Sequence, residues 1–240
     1  MTSASSDGPA LAAIADDLLS PARAVAAQEV DTIARVALRF AEIFERGRRV
    51  YGFGAGHSKA VADELCYRAG GLPGFTSMNL DDLRTEPRPA HLQLSDSMPE
   101  RDPANGPALL ELFAVGAGDG LLIASQSGRN GAIVEMARVA RERGVYVVAV
   151  VSRAHSDASV SRHPGGGRLI DYSDETIDNH GPLGDAVIRL PNGAATGSAS
   201  TISGALIAQL LTVATARALL LRGQDPGIIP SANVDRSSAG

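Results

Sequence analysis

Residues 121–151 read LLIASQSGRNGAIVEMARVARERGVYVVAVV, and three patterns follow one another within them. Leu121 to Ala124 is a short apolar run opened by Asp119-Gly120. Ser125-Gln126-Ser127-Gly128-Arg129-Asn130 is polar and contains a turn former. From Ile133 to Arg143 the apolar positions Ile133, Met136, Ala137 and Ala140 recur at helical spacing, and Gly144 stops them. Val145 to Val151 is a β-branched run. Strand, short loop, helix and strand make a βαβ unit, which requires parallel pairing and a right-handed crossover.

The same grammar recurs upstream. Val30, Ile33, Ala37, Phe40, Ala41 and Phe44 keep helical spacing up to Gly47, and Pro21 should interrupt the apolar pattern before them. Arg49 to Phe53 reads as a buried strand running into Gly54-Ala55-Gly56-His57-Ser58. A helix then carries Val61, Ala62, Leu65 and Ala69 on one face and ends at Gly70-Gly71. Gly74 to Asn79 is a short strand candidate. Leu80 to Asn105 holds four prolines and reads as loop with one short helix. Ser152 to Arg168, with Gly165-Gly166-Gly167, reads as a mobile loop. Further strands are expected within Ile170 to Ile177 and Ala186 to Leu190. Ile202, Leu206, Leu210, Val213 and Leu220 mark a long last helix closed by Gly223. The expectation is a disordered tail over residues 1–9 and a single domain over 10–240.

Bulk composition narrows the function. The chain has 240 residues, 44% hydrophobic and 20% charged, which suffices for one large α/β domain. Aromatic residues make up 4% and Trp is absent, so a base-stacking surface is not expected. The formal net charge is -5, with no Lys/Arg block, so no nucleic-acid partner is indicated. No signal peptide and no run of about 18 apolar residues is seen, so no membrane partner is expected. The lone cysteine, Cys66, excludes an intrachain disulfide and fits a cytoplasmic location. No His/Cys cluster has metal-ligand spacing, and no cofactor or metal is expected.

Both polar loops sit where a strand ends and a helix begins. Ligands bind there in open α/β sheets, and a helix N-terminus favours an anion. Ser58, Ser125, Ser127 and Asn130 offer neutral donors, and Gly56 and Gly128 allow close backbone approach. The competing reading is plain helix capping by Ser and Asn. A dinucleotide fingerprint fails, because the required third glycine is His57 in one register and Lys59 in the other. No Gly-Lys-Ser/Thr follows, so a Walker A loop fails too.

Gly54-Ala55-Gly56-His57-Ser58 and Ser125-Gln126-Ser127-Gly128-Arg129-Asn130 resemble the two loops of SIS (sugar isomerase) domains. Tyr67-Arg68-Ala69-Gly70-Gly71, Ser161-Arg162-His163-Pro164, Ile177-Asp178-Asn179-His180-Gly181-Pro182 and Ser231-Ala232-Asn233-Val234-Asp235 resemble the UPF0309 subfamily, which is phosphoheptose isomerase-like. The resemblance implies a three-layer αβα sandwich around a five-stranded parallel sheet, with long N- and C-terminal helices. It also implies a phosphorylated sugar as ligand and assembly as a homodimer or homotetramer. Carried over, Ser58, Ser125, Ser127 and Asn130 match the phosphate-binding positions. Phosphoheptose isomerases place a glutamate ten positions past the first serine; that position is Arg68 here, and the nearby glutamate is Glu64.

Aldose–ketose isomerisation through an enediol needs a group that takes and returns a proton. Glu64, on the helix after the first loop, and Glu86, in the irregular segment, are the candidate bases. Glu64 is equally placed for an ion pair with Arg68 at i+4. His180, in a loop of turn formers, is the candidate second acid/base, with Asp185 able to orient it. His57 lies beside the phosphate position, and Arg162 with His163 flanks the triple glycine as a possible cover. Cys66 reads as a small buried residue. An isomerase leads; a lyase or etherase, and a non-catalytic phosphosugar sensor, are the alternatives, because the fold serves all three.

Overall fold

The computed structural model describes residues 8–84 and 98–233. Two helices open the chain, α1 (Gly8–Gln28) and α2 (Val30–Glu45), followed by β1 (Val50–Gly54), α3 (Lys59–Leu65) and β2 (Phe75–Met78). Then come α4 (Asn105–Leu112), β3 (Gly120–Ala124), α5 (Gly131–Glu142), β4 (Tyr146–Val151), α6 (Arg153–Asp157) and β5 (Glu175–Asp178). The hairpin β6 (Ala186–Arg189) and β7 (Ala195–Ser198) leads into α7 (Ser200–Leu221).

The five-stranded sheet has the order β2-β1-β3-β4-β5, with every pair parallel. Its strands are buried on both faces, which is why they read as unbroken apolar runs. Successive side chains alternate between two cores. Val50, Leu122, Ala124, Val148, Val150 and Ile177 face α2, α3 and α7. Tyr51, Phe53, Leu121, Ile123, Val147 and Ala149 face α4 and α5. The result is the parallel sheet that the βαβ unit requires, inside the three-layer αβα sandwich that the resemblance implies. The sparse aromatic residues are concentrated under α2, where Phe40 meets Phe75 edge-on at 5.9 Å and Tyr146 at 6.3 Å.

The register levels the strand ends. Gly54 pairs with Ala124, Ala124 with Val150, and Val151 with Asp178. The loops after β1, β3, β4 and β5 therefore leave the sheet side by side. The chain from β1 runs to β2 on one side, while β3 leads to β4 on the other, so the crevice between β1 and β3 is the topological switch point.

Several expectations need correction. Pro21 does not interrupt α1; it lies buried inside the helix, and the break falls at Glu29. Residues 1–7 lie outside the described residues, while Gly8 and Pro9 already belong to α1. Helix α3 stops at Leu65, short of Ala69, because Cys66 turns extended and Tyr67 takes φ +54. Helix α4, at the end of the proline-rich stretch, was not read from the sequence, and two 3-10 turns, Leu80–Leu83 and Pro99–Arg101, precede it. The segment after β4 holds α6. Ala186–Arg189 is a strand, but it pairs antiparallel with β7 outside the main sheet.

Helix α7 shows the largest difference. Its buried residues include Ser203, Gly204, Ile207, Ala208, Leu211, Thr212 and Thr215, whereas Val213 and Leu220 are exposed. The helix is apolar all round, so periodicity cannot select a face. Small residues select it instead: a Cβ at Gly204 would stand 2.5 Å from Val61 Cγ2, which is how closely α7 lies against α3. By length and mean apolarity alone α7 would pass as a membrane span, although Gln209, Thr212, Thr215 and Arg217 interrupt it; it packs against α2 and α3, with 44% of its most apolar window buried inside the fold.

Helices α4 and α5 are brought together in the same way. A Cβ on Gly106 would fall inside contact distance of the Ala132 carbonyl and 2.8 Å from Met136 Cβ. Gly106→Ala is expected to destabilise the fold by about 1–3 kcal/mol, read as a lower urea midpoint at unchanged slope. Gly116→Ala, where the new Cβ meets nothing within 4 Å, is the matched control.

Candidate functional site

At the end of β1 the chain turns back on itself so tightly that a Cβ on Gly54 would overlap the Ser58 carbonyl, and Gly56 takes φ +57. This turn sets His57 and Ser58 at the mouth of the crevice, with α3 starting at Lys59. At the end of β3, Ser125 is 7% exposed and its Oγ accepts the Gly128 N–H at 3.1 Å. Gly128 takes φ +61, and its carbonyl accepts the Leu169 N–H at 2.8 Å.

Capping does not account for these side chains. Ser58 precedes α3 and Asn130 precedes α5, yet neither side chain caps its helix. Asn130 Oδ1 instead accepts from Arg162 Nη1 at 3.1 Å. Ser127 is half-buried in the same loop.

The crevice is lined by His57, Ser58, Ser125 and Gln126, and opposite them by Asn179, Ser200 and Thr201. Sequence reasoning missed the last three and Gln126. Asn179 Nδ2 donates to Gln126 Oε1 at 2.8 Å, and Asn179 Oδ1 accepts the Gly181 N–H at 2.8 Å. Ser152 Oγ donates to the Gly181 carbonyl at 2.6 Å, while the Ser152 N–H reaches the Gln126 carbonyl at 3.1 Å. The loops after β3, β4 and β5 are thereby locked to one another. Ser200 and Thr201 arrive on α7; the polar run Thr196 to Thr201 ahead of an apolar segment was the helix-start signal that announces them.

Helices α3, α5 and α7 all begin at this edge. Only α7 is already matched to a charge: Asp185, at φ +71, accepts the Ser200 N–H at 2.8 Å and the Ser200 hydroxyl at 2.7 Å. Asp185 thus anchors α7 and does not orient His180.

The candidate acid–base residues scatter. Glu64 Oε1 accepts from Arg68 and, at 2.8 Å, from Gln209 Nε2 on α7, so it is engaged beside the crevice and not in it. Its Cα lies about 9 Å along α3 from Ser58, at 1.5 Å rise per residue. Glu86 lies outside the described residues. His180 follows Asn179, and the two side chains point opposite ways. Asn179 enters the crevice, whereas His180 Nε2 meets Glu29 at the α1–α2 break at 3.2 Å. His163 is also turned away: its Nε2 meets Glu135 at 2.9 Å and its Nδ1 accepts the Gly165 N–H at 3.0 Å. Burial pushes the Cys66 thiol up to about 12, which keeps it protonated and unreactive. For His155, burial first and the Arg129 charge second hold the imidazole below its ordinary range, and its Nδ1 is buried without a partner.

Residues 15–152 match the family model described as SIS domain. A UPF0309 protein of Halalkalibacterium halodurans is 37% identical over 195 residues, 81% of this chain and 79% of the relative. One from Streptomyces coelicolor is 36% identical over 215 residues, 89% and 84% of the two chains. Among solved structures, a phosphoheptose isomerase from Neisseria gonorrhoeae superposes with TM-score 0.55 at 16% identity, over 86% of this chain and 97% of that one. The NanR protein of Vibrio vulnificus complexed with ManNAc-6P superposes with TM-score 0.55 at 16% identity, over 90% and 66%. These two likenesses show the fold.

Asp185→Ala removes the acceptor of two donors at the start of α7. A loss of about 1 kcal/mol is expected, the worth of a helix cap, together with faster amide hydrogen exchange at residues 200–203. Unchanged stability and exchange would contradict the anchoring role.

Proposed function

We propose a function from one established premise: the chain belongs to the SIS domain family, within its UPF0309 branch. The protein binds a phosphorylated sugar in the crevice between β1 and β3 and interconverts aldose and ketose forms through an enediol, in the manner of a phosphoheptose isomerase. The observation that carries the binding half is that Ser58 and Asn130 sit at helix starts without capping them. The loops that carry them, with Ser125 and Ser127, leave the same edge of the sheet. Neutral donors at helix N-termini suit a phosphate even in a protein of net charge -5.

The chemical half draws on His57, the one titratable side chain among the described residues that line the crevice. An imidazole is suited to relaying a proton between adjacent carbons near neutral pH. Glu86 is the carboxylate that this reading retains as base, and Arg162, held to Asn130 at the far end of the β3 loop, is a ligand contact beyond the crevice phosphate. A cytoplasmic homodimer or homotetramer belongs to the same reading, supported by the exposed Val213, Leu220 and Leu221 of α7.

A second reading, a phosphosugar sensor without turnover, has its own support. Glu64 and His180 both have partners outside the crevice. The NanR fold, seen with a phosphosugar bound, is compatible with that role.

A thermal-shift screen of sugar phosphates, paired with a turnover assay, tests both readings. A ligand at a hundred times its dissociation constant should add about 2.7 kcal/mol to the parent and little to Ser125→Ala/Ser127→Ala. Turnover that is lost in His57→Ala or Glu86→Gln with binding retained identifies the isomerase. Binding without turnover in the parent identifies the sensor. Parent and double variant both unmoved by every phosphosugar would end the binding reading.

A further inference from the structure

Three arginines gather where the β3 loop enters α5. Arg129 belongs to the loop itself. Arg162 arrives from the segment after α6: its N–H donates to the Arg129 carbonyl at 2.8 Å, and its guanidinium donates to Asn130. Arg101 arrives from the turn before α4, pressed so closely that a Cβ on Gly131 would overlap its carbonyl. Two separate segments thus converge on residues 129–131, each bringing a guanidinium.

None of the three forms an ion pair among the described residues, although arginines elsewhere in the chain do, such as Arg138 with Glu135 and Glu142. The Arg162 guanidinium is held below its usual range, by desolvation first and then by the Arg129 and Arg101 charges, with Glu100 opposing. Glu135, the carboxylate nearest along α5, is taken by Arg138 and His163. Three like charges gathered with one facing carboxylate, Glu100, remain unfavourable. They are tolerated where an anion completes them, and guanidinium forks match carboxylate and phosphate oxygens in pairs.

This cluster adjoins the sugar crevice without coinciding with it. Ser125 and Gln126 line the crevice, whereas Arg129 and Asn130 stand at the other end of the same six-residue loop and line none of it. Each end of the loop therefore offers an anion position. We propose that the ligand is a sugar phosphate bearing a second acidic group, a carboxylate or another phosphate, which Arg101, Arg129 and Arg162 hold while the first phosphate sits in the crevice. The inference rests on the phosphosugar reading and narrows its substrate class.

Isothermal titration with matched pairs tests it: fructose 6-phosphate against fructose 1,6-bisphosphate, and glucose 6-phosphate against 6-phosphogluconate. In the parent the diacid of at least one pair should bind about tenfold tighter or more, the worth of one charge-assisted hydrogen bond. In Arg101→Gln/Arg129→Gln that ratio should fall close to one, whatever happens to the monophosphate itself; a melting curve of the variant reports whether it is folded. Arg101→Lys/Arg129→Lys should restore part of the ratio. Equal affinities for both members of each pair in the parent, or a diacid advantage that survives in the glutamine variant, would overturn the inference and leave the phosphosugar reading standing. No binding of any probe to the parent, with free phosphate also silent, would overturn both.

Discussion

A strand in a parallel sheet is hydrogen-bonded along its length, but its last residue must leave the ladder, and in this chain Gly54, Ala124, Val151 and Asp178 leave within one residue of the same level. That shared level depends on the register, and the register depends on two-sided burial. A one-residue slip would exchange the residues facing α7 for those facing α5. Everything at the crevice follows from it. The loops after β1 and β3 stand side by side, and the loops after β4 and β5 brace them through Ser152, Gln126 and Asn179.

The helices that start at that edge are not equivalent. The first peptide of α7 is committed to Asp185, so the long last helix contributes Ser200 and Thr201 as crevice wall more than as a free positive end. Helices α3 and α5 keep their leading side chains uncommitted to capping. Backbone turns forced by Gly54, Gly56 and Gly128 bring those side chains to the edge, and the adjoining arginines extend the anion-attracting surface. The acid–base residues are held apart from this surface by ordinary means: Glu64 by Arg68 and Gln209, His180 by its left-handed turn and Glu29, His163 by Glu135.

Legibility followed the physics of each element. The unit from Leu121 to Val151 was readable because a doubly buried strand and an amphipathic helix leave opposite periodicities, and α5 buries the four residues singled out, Ile133, Met136, Ala137 and Ala140. Both loops were readable because glycine and serine cluster only where the chain turns tightly. Helix α7 was readable as a helix but not as a face, since close approach at Gly204, and not apolarity, chooses its side. Pro21 misled because one missing donor does not break a helix that is anchored at that turn by the buried Pro21, Ala22 and Val25. The direction of His180 was hidden because it depends on a left-handed backbone at φ +55, which a non-glycine residue does not announce in a sequence. Gln126 and Asn179 were hidden because their pairing joins loops 53 residues apart.

The most direct test of the central claim is a titration of inorganic phosphate into isotopically labelled protein, followed through the backbone amides. A phosphate site at the two loops predicts saturable shifts concentrated at residues 56–58 and 125–131, abolished in Ser125→Ala/Ser127→Ala. Shifts that spread evenly over exposed basic residues, or none at all, would contradict the assignment of the crevice as a phosphate site.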